Sequence, residues 1–378
     1  MRLAFISLMS GLPWGGSEEL WYKIAANAME QEHIVLVSVF DWGKLSPKIA
    51  TLKQQGAIIN LRPRFNSNGS MLYKTTLYFK NRINWLNNTY KSILRFKPDH
   101  VIINQGETFD IAIHHYKLFE LLKSNNISYS LICHSHTQYG DIPTKDIYPG
   151  AVEIFQSAHK VFFVSNRMQQ ITERKLCTKL TNTQFTWNPL NLKTSEYIPW
   201  PKNSMVQFAM VGNLGNNKGH DTLLECLKEE KWKDRQWHLN IYGTGYGEKY
   251  LKDLTKFYHL ENKITFHGHV SAVAEIWLNN HLLLIPSASE GTPISLIEAL
   301  ICGRPATVSD IGGNGEVITE NINGFIAEAP SVSSFSNAME RAWENKEKWE
   351  GMGKNAHEYC MKNVDLNPQI TLLNSIVV

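Results

Sequence analysis

Two carboxylates, Glu290 and Glu298, are separated by seven residues in the run HLLLIPSASEGTPISLIEALICGRPATVSDIGGNGEVITENINGFIAEA, positions 281–329. The first follows an apolar stretch, 282–285, that ends in small polar residues. Gly291, Thr292 and Pro293 then turn the chain into a second apolar segment that contains Glu298. Thr292 suits an N-cap, Pro293 the first helical position and Gly303 the left-handed residue past the end, so a buried helix over 293–302 is expected. The amides of Ile294, Ser295 and Leu296 would point out of its N-terminus and make a site for phosphate. Glu298 inside this helix is costly unless a protein donor or ligand hydroxyls satisfy it.

Three further groups have chemistry to offer. Lys218 precedes Gly219 in a glycine-containing loop, 212–221, that enters a helix. An ammonium there suits a diphosphate, through a charge-assisted hydrogen bond contributing roughly 1.5–3 kcal/mol. Gly15 and Gly16 fall in a glycine-rich stretch, 11–17, where backbone amides can approach a ligand closely; the plain alternative is a tight turn. His134 and His136 end an apolar run, 127–133. There is neither an Asp-x-Asp nor a His/Cys/Asp cluster with ligand spacing, so no metal site is expected.

The elements that must position these groups alternate along the chain. Residues 3–7 read as a strand, 18–31 as a helix and 34–39 as a strand, a βαβ opening that implies a parallel sheet. Further buried strands are expected at 99–104, 127–133 and 160–165, with a helix over 166–175. Asn188-Pro189 leads towards a linker rich in proline around 199–204. A second series follows: a strand at 206–211, the Lys218 loop, a helix from about 222, and strands at 238–242 and 264–266. The last two end in Gly243-Thr-Gly-Tyr-Gly247 and Gly268-His269-Val270. Strands at 282–285 and 306–309 flank the two-acid segment, and 365–378 reads as a last helix. The fold class is therefore α/β, with a Rossmann-like domain over 1–200, a second over 201–355, and a helical segment over 356–378.

Composition sets the outer limits. A chain of 378 residues divides naturally into two domains. Apolar content of 43% and charged content of 19% are those of an ordinary globular protein, and a net charge of +3 does not point to nucleic acid. The five cysteines are scattered without a CxxC pair, which fits a reducing, cytoplasmic setting. No apolar run has the length of a membrane span, and 3–9 reads better as a buried strand than as a signal sequence. Between Arg62 and Lys97, counting both, there are eight Lys/Arg and no Asp or Glu, interleaved with aromatics at helical spacing. Such a segment either packs on the sheet with a solvated basic face, lies on an anionic membrane surface, or meets an acidic acceptor.

The string from Glu290-Gly291 through Glu298-Ala299, Gly303-Arg304-Pro305, Gly312-Gly313, Glu316 and Asn323-Gly324 resembles the signature of retaining nucleotide-sugar glycosyltransferases of family 4, which have the GT-B fold. The resemblance covers the second domain by motif and the first by order of elements. It implies two Rossmann-like domains facing a central cleft, a UDP- or GDP-linked sugar as co-substrate, a glycan or lipid-linked glycan as acceptor, and no bound cofactor. It places Glu298 on ribose hydroxyls and Glu290 near the donor sugar. His134, which follows the apolar run directly, would stand beside that sugar; His136 is the alternative. Lys218 and the 294–296 amides would hold the diphosphate. The ends at Gly243 and His269 resemble the base and ribose pocket, and the Gly15-Gly16 loop would face the cleft. Asn213 stands where the family usually has an arginine, so one of two usual cations is missing. That keeps a catalytically silent nucleotide-sugar-binding subunit as an alternative. A nucleotide-sugar epimerase on the same fold is disfavoured by the two-acid segment, and a dehydrogenase by the lack of Gly-x-Gly-x-x-Gly.

Overall fold

The computed structural model describes residues 1–63, 90–134, 147–192, 195–202 and 204–377. Two parallel sheets carry the chain. The first contains β1 (Arg2–Ser7), β2 (Ile34–Phe40), β3 (Ile58–Arg62), β4 (His100–Gln105), β5 (Ser128–Cys133), β6 (Lys160–Phe163) and β7 (Thr183–Phe185), in the order β3-β2-β1-β4-β5-β6-β7. The second contains β8 (Val206–Val211), β9 (Trp237–Tyr242), β10 (Ile264–Gly268), β11 (Leu282–Ile285), β12 (Ala306–Ser309) and β13 (Gly324–Ala327), in the order β10-β9-β8-β11-β12-β13. Central strands such as β1 and β11 are apolar and buried over most of their length, as a sheet covered by helices on both faces requires. β3, β7 and β13 are additional to the strands read from the sequence. β3 is an edge strand whose Ile58 and Leu61 are exposed, β7 has three residues and β13 begins at Gly324, so none has the long apolar pattern of an inner strand.

Seven helices matter for the site. They are α1 (Gly16–Glu30), α2 (Asn166–Lys175), α3 (His220–Leu227), α4 (Ile294–Ile301), α5 (Asn314–Val317), α6 (Trp349–Asn363) and α7 (Pro368–Val377). α1 starts at Gly16, two residues before the expected Glu18, and buries Leu20, Trp21, Ile24 and Ala25 against Leu3 and Phe5. α7 belongs to the same apolar cluster: Leu372, Leu373 and Ile376 pack with it. The last helix of the chain thus completes the core of the first sheet.

Arg304 joins the linker to the second sheet. Its guanidinium is fully buried and donates to the carbonyls of Ile198, Pro199, Trp277, Asn280, Cys302 and Gly303. Burial lowers its pKa to about 10. Arg62, the first cation of the basic stretch, is not on a solvated face. It closes β3, is fully buried, lies over the Phe40 ring at 4.3 Å and donates to the Ser7 carbonyl. Residues 64–89, which hold most of that stretch, lie outside the described residues. Among the described residues, no helix is long and apolar enough to cross a membrane.

Candidate active site

Strand order reverses between β1 and β4 in one sheet and between β8 and β11 in the other. Ligands of open α/β sheets lie beyond the strand ends at such switch points. In the second sheet the loops after β8 and β11 are pressed together there. Gly219 has φ +74°, and a Cβ on it would come within 2.3 Å of the Pro286 carbonyl oxygen. The Ala288 amide donates to the Asn217 carbonyl at 2.9 Å. Gly243, at φ +134°, lies against the Gly212 carbonyl so closely that a Cβ would stand 1.8 Å from it. Only glycine fits either position.

This packing brings Lys218 onto Glu290. The Nζ–Oε1 distance is 2.7 Å, and the Ser287 hydroxyl donates to the same carboxylate oxygen at 2.8 Å. Glu290 is 8% exposed, so the pair is screened less than a surface pair would be. Lys218, Glu290, Ser287, Gly212, His220 and Ser295 line a small, partly open cavity.

α4 enters from the other side. Pro293 is its N-cap, with ψ 129°, and the helix begins at Ile294, one residue later than expected. Thr292 does not cap it, because its hydroxyl is taken by the first domain: Oγ1 donates to the Val164 carbonyl at 2.6 Å. Of the three amides expected to be free, Leu296 bonds the Pro293 carbonyl at 3.1 Å. Those of Ile294 and Ser295 have no partner among the described residues.

Glu298 is buried within α4, and a protein donor satisfies it: the Asn191 amide donates to Oε1 at 2.8 Å. Burial nevertheless pushes its carboxyl up to about 7, against the pull of the Asn191 bonds and the Lys23 charge. Lys23, on α1, donates to the neighbouring Leu190 carbonyl at 2.7 Å.

His134 follows β5, buried, with Nε2 2.7 Å from the Asn104 Oδ1 at the end of β4. Nε2–H is therefore the donor, and burial holds the imidazole down to about 4, so the ring is neutral. Gly291 presses on this residue; a Cβ there would lie 2.2 Å from the His134 carbonyl oxygen. Gly15 is the N-cap of α1, and a Cβ on Gly16 would lie 3.6 Å from Ile294 Cδ1. The N-termini of α1 and α4 thus meet across the domain boundary.

The boundary is tied elsewhere too. Glu316, on α5, accepts from the amides of Asn166 at 3.0 Å and Arg167 at 2.6 Å. A carboxylate from one domain thereby occupies the N-terminus of α2 in the other, where the free amides and the helix dipole favour it. Arg167 also pairs with Asp310 at 2.8 Å.

Of the residues singled out in the sequence, Glu290, Lys218, Gly291, Thr292, Pro293, Ile294, Ser295, Glu298, His134, Gly15, Gly16 and Gly243 converge on this boundary and its two loops. Asn213 and His269 are exposed and line neither the Lys218 cavity nor that of the first domain. His136 lies outside the described residues. Asn104, Ser287, Arg167 and Glu18 carry roles the sequence reading did not assign. For Asn104 the signal was a polar residue ending a buried strand.

The first domain has its own partly open cavity beyond β1 and β2. Trp14, Trp21, Phe40 and Trp42 wall it, and Glu18 lines it. Glu18 accepts from the Ser7 hydroxyl at 2.6 Å and from the Trp21 indole N–H, and burial pushes it up to about 7.

Residues 200–359 match the model of the family Glycosyl transferases group 1. That match covers most of the second domain. Among curated relatives, an uncharacterized glycosyltransferase of Haemophilus influenzae is 28% identical over 153 residues, 39% of this chain and 43% of that protein. The UDP-Gal:alpha-D-GlcNAc-diphosphoundecaprenol alpha-1,3-galactosyltransferase of Escherichia coli is 30% identical over 88 residues, 23% of each chain. The matched stretches span less than half the length of these relatives. Among solved structures, Anabaena HepE in complex with UDP-glucose superposes with a TM-score of 0.74 at 16% identity, covering 99% of this chain and 98% of that one. Sucrose-phosphate synthase from Thermosynechococcus elongatus has the same TM-score and identity, over 100% and 98%. These likenesses extend beyond residues 200–359 to the whole chain, and the fold is GT-B.

Proposed function

We propose that the protein is a retaining glycosyltransferase that moves a hexosyl group from a UDP- or GDP-linked donor to a glycan or lipid-linked glycan acceptor. The observation that carries this reading is the Lys218–Glu290 pair, 2.7 Å apart, in a cavity that Ser295 of α4 also lines. Cleavage of a sugar–diphosphate bond places negative charge on the leaving phosphate and positive charge on the sugar ring. A catalyst must stabilise both more strongly in the transition state than in the ground state. Lys218 and the amides of Ile294 and Ser295 suit the phosphate; Glu290 suits the sugar. Donor binding would draw Lys218 from Glu290 towards phosphate and free the carboxylate for hydroxyls or the ring.

Glu298, held by Asn191, would bind the ribose hydroxyls. His134, neutral and fixed by Asn104, offers Nδ1 as an acceptor. In the retaining course the acceptor attacks from the face the phosphate leaves, and the phosphate takes its proton. The tightly packed boundary at Gly291 and Thr292 would limit hydrolysis by excluding water. The charge-balancing groups are all protein groups, so turnover is expected to survive EDTA, with no cofactor added. We place the protein in the cytoplasm, able to contact the inner face of the membrane through its basic segment. The names of relatives support the donor class: HepE was solved with UDP-glucose, and the Escherichia coli relative is named for a UDP-Gal donor and a diphosphoundecaprenol-linked acceptor.

The test is turnover of UDP- and GDP-sugars with acceptor glycans, read by nucleotide release and by NMR of the new anomeric centre. Release with retained configuration is expected. Inversion would overturn the retaining course. Heat protection by a nucleotide sugar without release would favour the silent binding subunit.

A further inference from the structure

His220 opens α3, two residues after Lys218, and is 3% exposed. Neither of its ring nitrogens has a partner among the described residues. The other buried histidines among the described residues each have a ring nitrogen held: His100 by Ser130, His134 by Asn104 and His281 by the Gln207 amide. A neutral imidazole has one donor and one acceptor, and leaving both unmade in the interior is costly. A buried polar group retained at such a cost calls for an explanation in function rather than in packing.

The position is enforced. Gly219 in its left-handed conformation presses against Pro286 and holds the following residue at the cavity that Lys218, Ser287, Glu290 and Ser295 line. We propose that His220 is a donor-phosphate contact, its N–H hydrogen-bonding a phosphoryl oxygen of the nucleotide diphosphate beside Lys218. This rests on the reading of the cavity as a nucleotide-diphosphate site.

The chemistry of the neighbours favours an anion with several acceptor oxygens. Lys218 already supplies one full positive charge, and a second cation beside it would be repelled until the ligand arrived. A neutral ring adds a donor without that repulsion. Burial and the Lys218 charge hold the imidazole down to about 4, so it stays neutral across the physiological range. Ser295, whose amide has no partner among the described residues, lines the same cavity and adds a donor, and an oxygen-rich group can engage it together with Lys218 and His220.

The test is isothermal titration of the full chain with UDP, GDP, uridine and guanosine, for wild type, His220→Phe and His220→Gln. For the diphosphate that wild type binds, His220→Phe is expected to weaken affinity about tenfold while leaving the matching nucleoside unchanged. His220→Gln, which keeps an N–H, is expected to recover part of the loss. The unliganded Phe variant is expected to melt no lower than wild type, because it removes two unpaired polar atoms. Unchanged diphosphate affinity in His220→Phe would make the histidine structural and overturn the proposal. An equal loss for nucleoside and diphosphate would overturn it too. A wild type that binds neither diphosphate would overturn the proposed function as well, which separates the two failures.

Discussion

The two sheets share one plan, yet the chemistry of the cavities beyond their strand ends differs. Beyond β1 and β2 the first domain has an aromatic cavity whose acid, Glu18, is satisfied inside its own domain by Ser7 and Trp21. Beyond β8 and β11 the second has a smaller cavity with an ion pair, Lys218–Glu290, and a histidine with no partner among the described residues. A second buried acid, Glu298, is satisfied by the Asn191 amide rather than by a side chain of its own sheet. The lesson is that topology selects where a ligand goes, while the loop residues decide whether apolar or charged chemistry waits there. Polar groups in the first cavity are internally matched; in the second they are matched provisionally or not at all.

The sharpest way to break this contrast is at Glu290. Glu290→Gln is expected to lower turnover at least about a hundredfold, far more than it changes nucleotide binding, measured by nucleotide release and titration. Equal turnover would move the chemistry away from the second cavity. Next is Lys218→Ala, expected to weaken UDP or GDP binding roughly ten- to hundredfold by removing a charge-assisted hydrogen bond. Unchanged affinity would leave Lys218 as a mere partner for Glu290.

The two buried acids offer a finer comparison. Both are pushed up to about 7 from 4.5, so each binds a proton more readily folded than unfolded. The stability each contributes is complete below about 4.5 and is lost as pH rises through about 7. Glu298→Gln and Glu18→Gln are therefore each expected to melt higher than wild type at pH 8, by about 1–3 kcal/mol of stability, and to converge with it at pH 4.5. The pair diverges in binding: Glu298→Ala is expected to weaken nucleotide affinity at least about tenfold, near 1.4 kcal/mol, and Glu18→Ala to leave it unchanged. A loss with Glu18→Ala instead would place the nucleotide against the first cavity. The smallest effect is expected at Thr292→Val, which removes the hydroxyl tie to Val164 and costs about 1 kcal/mol in thermal unfolding.

Much of this arrangement was legible before any coordinates. The central strands β1, β8, β11 and β12 show as apolar runs with turn residues at their ends, because inner strands of a covered parallel sheet are apolar throughout. Edge strands were not legible: β3 exposes Ile58 and Leu61, and β7 is too short to show a period. The N-terminus of α4 was placed to within one residue. Its cap was misassigned because a threonine before Pro-Ile-Ser looks the same whether its hydroxyl serves its own helix or a carbonyl in another domain.

What the sequence by itself determined is whatever depends on neighbours within a few residues. That includes the βα alternation, the turns at Gly219 and Gly303, the apolar helix around Glu298, and the spacing of the two acids. The tertiary structure alone decided the partners. Lys218 reaches Glu290 across 72 residues, Asn191 reaches Glu298 across 107, and Glu316 takes the α2 amides across about 150. It also decided that Arg62 is buried rather than solvated, and that α7 closes the first core. The physical reason is the same in each case. A polar group's need for a partner is written in its residue type, but which partner meets it depends on how segments distant in sequence pack, within each domain and across the boundary between them.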